Sequence, residues 1–325
     1  MIKTTRRQAL ACTAAGLAFP GLARAQASQQ LAIATGTTGG VYYPLGGGLA
    51  NLLSRYIPGM SATVEVTGGS VANNQLLGAG RVGLIFSQVD ASVDGINGNG
   101  PYRGRKVPVR AIAVLYTNHM QVVTTTSTGI HSIADMKGKR ISTGAPGSAT
   151  ELMAFRLIEA AGLDRDKDFR SRERLSPAES TNAIKDGKID AYFFVSGVPT
   201  SAVTDLAASP GVTIQLVDHD QYVPAIVEKY GPVYFPEVIP AGTYPGQTTD
   251  NKQMSVANIL GMREDAPAEL VTAILQVAWQ HRTDLAQIHA EGRNFKLESQ
   301  KTAAAGVPWH PAAEAFWRAQ GATLP

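Results

Sequence analysis

The chain is 325 residues long, 44% hydrophobic and only 17% charged, with a formal net charge of +3. That composition is globular rather than disordered. It holds no basic stripe interleaved with aromatics, so nucleic acid is not an expected partner, and its one cysteine, Cys12, leaves no pair for a disulfide.

Residues 1–27 read as a signal peptide. Lys3, Arg6 and Arg7 form a basic start, 9–22 is uncharged and mostly apolar, and Ala23-Arg24-Ala25 and Ala25-Gln26-Ala27 are small-residue cleavage patterns. Thr5-Arg6-Arg7-Gln8 hints at the twin-arginine route. Cleavage would remove Cys12 together with Lys3, Arg6, Arg7 and Arg24, leaving 25 basic against 26 acidic residues. An exported, cysteine-free, near-neutral protein suits a bacterial periplasm.

The segment 31–53, LAIATGTTGGVYYPLGGGLANLL, is the most informative stretch. An apolar run at 31–34 predicts a buried strand. A loop of Thr and Gly follows, and a helical pattern then places Leu45, Leu49, Leu52 and Leu53 on one face. Such a loop at a helix N-terminus offers free backbone N–H groups, hydroxyls and the positive end of a helix dipole to an anion. It lacks the Gly-Lys-Ser/Thr ending of a phosphate-binding P-loop and the spacing of a dinucleotide fingerprint.

Strand and helix signals then alternate. Strands are predicted at 62–66, 82–86, 109–115, 120–124, 140–142, 169–175, 189–195, 212–216 and 256–262. Helices are predicted at 71–77, 88–93, 148–161, 178–186 and 199–208, with one long helix at 267–290 that has Pro267 at its start. Repeated β–α units imply a mostly parallel sheet covered on both faces, and the fresh start near Asn118 implies two α/β lobes. Ligands of open α/β sheets bind beyond the carboxyl ends of the strands. Several predicted strand ends carry the same small polar chemistry: Thr67-Gly68-Gly69-Ser70, Ser87-Gln88-Val89-Asp90, Thr143 to Ser148, and Ser196 to Thr200. Together they describe a cleft rich in hydrogen-bond donors. Tyr42, Tyr43 and Tyr244 are candidates to close it, and Asp90 to recognise an ammonium group, although Asp90 and Asp94 fit a solvated helix face better.

Catalytic patterns are missing from the sequence. His119, His131, His219, His281, His289 and His310 form no metal-ligand spacing, and no Gly-x-Ser-x-Gly elbow occurs. The expectation is a binding protein, not an enzyme, without cofactor or metal. An enzyme on the same fold, a periplasmic sensor module for a receptor kinase and an ABC-type binding protein are the rival readings.

Four stretches resemble the TAXI family of solute-binding proteins of TRAP transporters: Gly36 to Gly46, Thr67 to Asn73, Gly144 to Ser148, and Ile239 to Gln247. The resemblance implies a type II periplasmic-binding-protein-like fold, two α/β lobes joined by a hinge with a ligand cleft between them. Lobe 1 would comprise 28–118 plus 252–325, and lobe 2 would be 119–251. It implies capture of a small organic anion, a dicarboxylate or acidic amino acid such as glutamate or 2-oxoglutarate, by a monomer that hands it to a fused TRAP membrane subunit. The binding positions it implies are Thr38, Gly39, Gly40, Tyr42, Ser70, Asn73, Gln88, Asp90, Gly144, Ser148, Thr150, Ser196 and Tyr244.

Overall fold

The computed structural model describes residues 29–301 and 306–324. The leader read at 1–27, with Cys12, lies outside the described residues. Strand β1 (Gln29–Ala34) buries Leu31 and Ile33 and leads through the Gly/Thr loop into α1 (Tyr42–Tyr56), which buries its four leucines against the sheet. Next come β2 (Met60–Glu65), α2 (Ser70–Gly78), β3 (Leu84–Gln88) and α3 (Val89–Asn97).

One 17-residue strand, β4 (Val109–Thr125), stands where the sequence suggests two. The polar Asn118-His119 pair interrupts the apolar pattern but not the ladder, since both residues stay in register with a neighbouring strand. The second half of the chain gives β5 (Arg140–Ser142), α4 (Ala149–Ala160), β6 (Ser171–Glu173), α5 (Pro177–Lys185), β7 (Ala191–Ser196), α6 (Ser201–Ala207), β8 (Ile214–Leu216) and α7 (Val223–Tyr230). A strand with no sequence expectation, β9 (Tyr234–Ile239), precedes β10 (Asn251–Arg263).

The long helix expected at 267–290 is broken into α8 (Ala268–Gln280) and α9 (Arg282–Ile288). His281 makes the break. Its ring stacks on Tyr56 at 4.0 Å, and its Nδ1 lies 3.1 Å from Asp284 Oδ2 at the start of α9. Apolar periodicity survives such a break, which is why the sequence reads straight through it. Short α10 (Leu297–Lys301) and α11 (Pro311–Ala319) follow. No described helix is long and apolar enough to cross a membrane.

The strands form one sheet in the order β2-β1-β3-β10-β4-β7-β5-β6, with β8 beside β4 and β9 beside β10. Pairing is parallel among β1, β2 and β3 and among β5, β6 and β7, but antiparallel across β3-β10-β4-β7. The mostly parallel sheet expected from the sequence is thus a mixed one, because two long strands cross its centre. Those crossing strands bring the two halves together. The carboxyl end of β3 meets β10 at Gln88↔Asn258, and that of β7 meets β4 at Ser196↔His119. Both βα halves therefore point their strand ends at one midpoint.

Candidate functional site

A cavity of about 40 Å3 lies at that midpoint, lined by Gly36, Thr37, Gly40, Val41, Tyr42, Gly68, Gly69, Ser70, Gln88, Asn118, Ser148, Ala149, Thr150, Phe194, Val195 and Ser196. Three helices begin on it: α1 with Val41 and Tyr42, α2 with Gly69 and Ser70, and α4 with Ser148, Ala149 and Thr150. First-turn amides have no carbonyl partner within their own helix, so their N–H dipoles favour negative charge in the space they face. The lining carries no charged side chain.

Hydrogen bonds fix the polar side chains around the cavity. Ser148 caps α4, its Oγ accepting from Glu151 N at 3.1 Å while donating to Ala145 O at 2.6 Å. Ser70 Oγ accepts from Gln88 N at 3.1 Å, and Thr150 Oγ1 accepts from Val195 N at 3.1 Å. The Tyr42 hydroxyl donates to Asn258 Oδ1 at 2.5 Å and accepts from Asn118 Nδ2 at 3.2 Å. Burial pushes this phenol well above the ordinary range, so it remains a neutral donor. Two buried amide oxygens of the lining, Gln88 Oε1 and Asn118 Oδ1, have no partner. Unmet acceptors in a buried polar pocket require a donor from a ligand or from water.

Seven of the expected positions meet at the cavity: Gly40, Tyr42, Ser70, Gln88, Ser148, Thr150 and Ser196. The other six do not line it. Thr38 is exposed, and Gly39 packs near Pro177 and Ala202. Asn73 is fully buried and serves the scaffold, its Nδ2 donating to Thr35 O at 2.6 Å and Phe86 O at 2.8 Å, which ties β1 to β3. Gly144 turns the chain at φ 101°, where a Cβ would sit 2.6 Å from Thr150 Cγ2. Tyr244 is buried in the β7 half, accepting from Thr200 N at 3.1 Å and donating to Gln121 Oε1 at 2.5 Å, and burial pushes its phenol up to about 12.

Asp90 is the clearest correction. Neither it nor Asp94 is on a solvated face. Asp90 is 1% exposed and accepts from Ala91 N at 2.8 Å and Tyr234 Oη at 2.9 Å. Buried Arg156 of α4 donates to Asp94 Oδ2 at 2.5 Å and to Tyr234 Oη, and its Nη1 lies 3.9 Å from Asp90 Oδ2. Burial raises both carboxyls against the pull of Arg156, that of Asp90 to about 6. Asp90 is committed to this network and is not available to a solute's ammonium group. Asn118 and Phe194 line the cavity without being among the expected positions, and Asn258, outside the lining, accepts from the Tyr42 hydroxyl. The two amides sit among other polar strand residues, Thr117 and His119 in β4 and Gln253 and Ser255 in β10, so nothing in the sequence singles them out. Among the described residues, no group of three or more His, Cys, Asp or Glu is placed to hold a metal ion.

The lobes touch around the cavity. Ala72 N of α2 donates to Gly147 O at 2.9 Å, and Ser201 Oγ donates to Gly39 O at 3.3 Å. This is a closed arrangement. The two-lobed α/β fold expected from the sequence is the one found.

Solved structures with a similar fold include a protein from Bordetella bronchiseptica RB50, with a TM-score of 0.52 and 18% identity over 88% of this chain and 82% of that one. A putative L-cystine ABC transporter protein from Listeria monocytogenes gives a TM-score of 0.49 and 16% identity over 82% and 96%. The periplasmic aliphatic sulphonate binding protein of Escherichia coli gives 0.46 and 12% over 89% and 78%. At these identities the likeness is one of fold. A family model described as NMT1-like matches residues 33–321, nearly all of the described chain, and the protein belongs to the NMT1-like family.

Proposed function

We propose that this chain is an extracytoplasmic solute-binding protein that closes on a small organic anion and passes it to a membrane transporter. One observation carries the reading: helix N-termini from both halves of the sheet converge on a single cavity that also holds unpartnered amide oxygens. The dipoles suit a carboxylate, and Gln88 Oε1 and Asn118 Oδ1 suit an N–H or O–H donor on the same molecule. An acidic amino acid such as glutamate supplies both groups, whereas 2-oxoglutarate supplies only the first. The lobes would be 28–118 with 252–325 and 119–251, hinged where β4 and β10 cross. The resemblance of the loop motifs to those of TAXI proteins favours a fused TRAP membrane subunit as recipient, and the leader pattern at 1–27 favours a periplasmic site of action. The polar side chains around the cavity are hydroxyls, amides and a phenol, set beside Val41, Phe194 and Val195, which suits a cycle of capture and release without bond making.

Isothermal titration of residues 28–325 with glutamate, aspartate, 2-oxoglutarate, succinate and alanine tests this reading. Saturable heat is expected with an acidic amino acid, with weaker binding of the keto acid and succinate and none of alanine. Binding of alanine alone, or neither heat nor a rise in melting temperature across the panel, would refute it. In cells, uptake of the bound solute should fall when the fused TRAP subunit is deleted; unchanged uptake would remove that recipient.

A further inference from the structure

After α9 the chain makes a 3-10 turn at Ala290–Asn294 instead of continuing as helix. The turn is anchored in the β1 half, where Leu285 and Phe295 on either side of it pack with Leu45 and Leu49 of α1. Glu291 projects from it to the loop that follows β7 in the other half. There its Oε1 accepts from Val198 N at 2.7 Å, while Oε2 accepts from Asn294 Nδ2 at 2.7 Å. The carboxylate is 4% exposed, with both oxygens engaged. His289 assists: its Nδ1 accepts from Glu291 N at 3.1 Å, which leaves Nε2 to donate to Pro199 O at 3.2 Å. A Cβ on Gly197 would fall 2.5 Å from Glu291 Cγ, so the contact needs glycine there. The loop it grips begins with Ser196, which lines the cavity.

We propose that Glu291, supported by His289, is a positioning residue that clasps the Ser196–Thr200 loop across the cleft and so sets how long the closed form retains its solute. Its bond to Val198 joins the two halves of the sheet beside the crossing strands, so a hinge motion that draws the Ser196–Thr200 loop away from the turn breaks it. Opening strips a buried carboxylate of one of its two donors, and closure restores it. The clasp reaches the cavity only through Ser196, which begins the loop it holds. It therefore governs release far more than capture, since interface changes act mainly on dissociation.

This proposal rests on the binding reading above, so its test has an arm that needs no solute. Spin labels on exposed Arg81→Cys and Glu173→Cys report the distance between the halves in the full-length mature chain, with glutamate as the solute probe. Without solute, Glu291→Ala should shift the distances towards the open population. With solute, it should speed dissociation about tenfold, the scale of one charge-assisted hydrogen bond, with association within a factor of two or so. Glu291→Gln keeps a neutral acceptor for Val198 N and should fall between Glu291→Ala and the parent in both arms. Gly197→Ala crowds the same contact from the other side and should reproduce Glu291→Ala, which keeps the idea testable if that variant folds poorly. Parental distances and release rates in Glu291→Ala and Gly197→Ala would overturn the clasp, as would Glu291→Gln behaving like Glu291→Ala. If nothing in the panel above binds the parent, the binding reading fails while the distance arm still judges the clasp.

Discussion

Gly68 faces the backbone of Pro146 across the cleft so closely that a Cβ there would stand 2.1 Å from the carbonyl oxygen. That atom belongs to the opposite half of the sheet, so a methyl group at position 68 meets it only when the halves close. Gly68→Ala should therefore leave the open fold intact, with thermal unfolding in the absence of solute within a few degrees of the parent. It should weaken solute binding at least tenfold, which corresponds to about 1.4 kcal/mol. Equal affinities in calorimetry would mean that the closed arrangement is not the one that holds solute. The loop around Gly68 was legible in the sequence, as was the Gly36–Gly40 loop, because small residues between a strand and a helix announce themselves by type. Asn118 and Asn258 were not legible. An amide among the other polar residues of a strand gains meaning only when topology brings two such strands together beside Tyr42. Asp90 shows the opposite failure. An i,i+4 pair of carboxylates reads as a wet helix face until the burying helix, 62 residues along the chain from Asp94, supplies Arg156.

Helices α3 and α4 meet through that buried network. Arg156 supplies positive charge to two carboxylates and a phenol, and removing it would strand both acids in an apolar setting. Arg156→Met should lower stability by about 3–5 kcal/mol at neutral pH, the usual cost of orphaning a buried charge. The sign of the pH effect follows from the raised folded-state carboxyls. A carboxyl whose folded pKa lies above its unfolded value destabilises the fold when ionised, and is relieved as pH falls through the folded value. Asp90 already sits at about 6 with Arg156 present, and loss of the cation raises both acids further. The deficit of the variant should thus shrink markedly between pH 7.5 and pH 5 in urea unfolding. An equal deficit at both values would show that Arg156 acts by packing alone. At this scale apolar period made most strands and helices legible. It hid the element boundaries that tertiary contacts decide. The unbroken β4 is held through its polar middle by pairing with β10, and the α8–α9 break is held by His281 on Tyr56.

The two halves are not independent bodies, although each has its own βα unit. β4 runs from pairing with β10 into pairing with β7, so one strand belongs to both halves. One continuous apolar cluster joins Val89 and Ile259 with Ile141, Phe193 and Val195 across the centre. Beside this shared core, the β10 ladder shifts register between Ala257 and Ile259, around the Asn258 that bonds Tyr42, and again between Leu260 and Gly261. Irregular pairing bends a strand and increases its local twist, so the point where the sheet flexes adjoins the cavity. The cavity's 40 Å3 is well below the roughly 150 Å3 that admits benzene, so the halves must stand further apart than this when a solute of glutamate's size lies between them. Two consequences can be measured together. A shared core makes unfolding cooperative, so near- and far-ultraviolet circular dichroism should trace one coincident thermal transition. A solute gripped by both halves binds only the folded whole, so at a hundredfold excess over Kd it should add about 2.7 kcal/mol and move that single transition up by several degrees. Two separated transitions, with solute shifting only one, would mean that the solute is held by one half and that the crossing strands are a tether rather than a hinge.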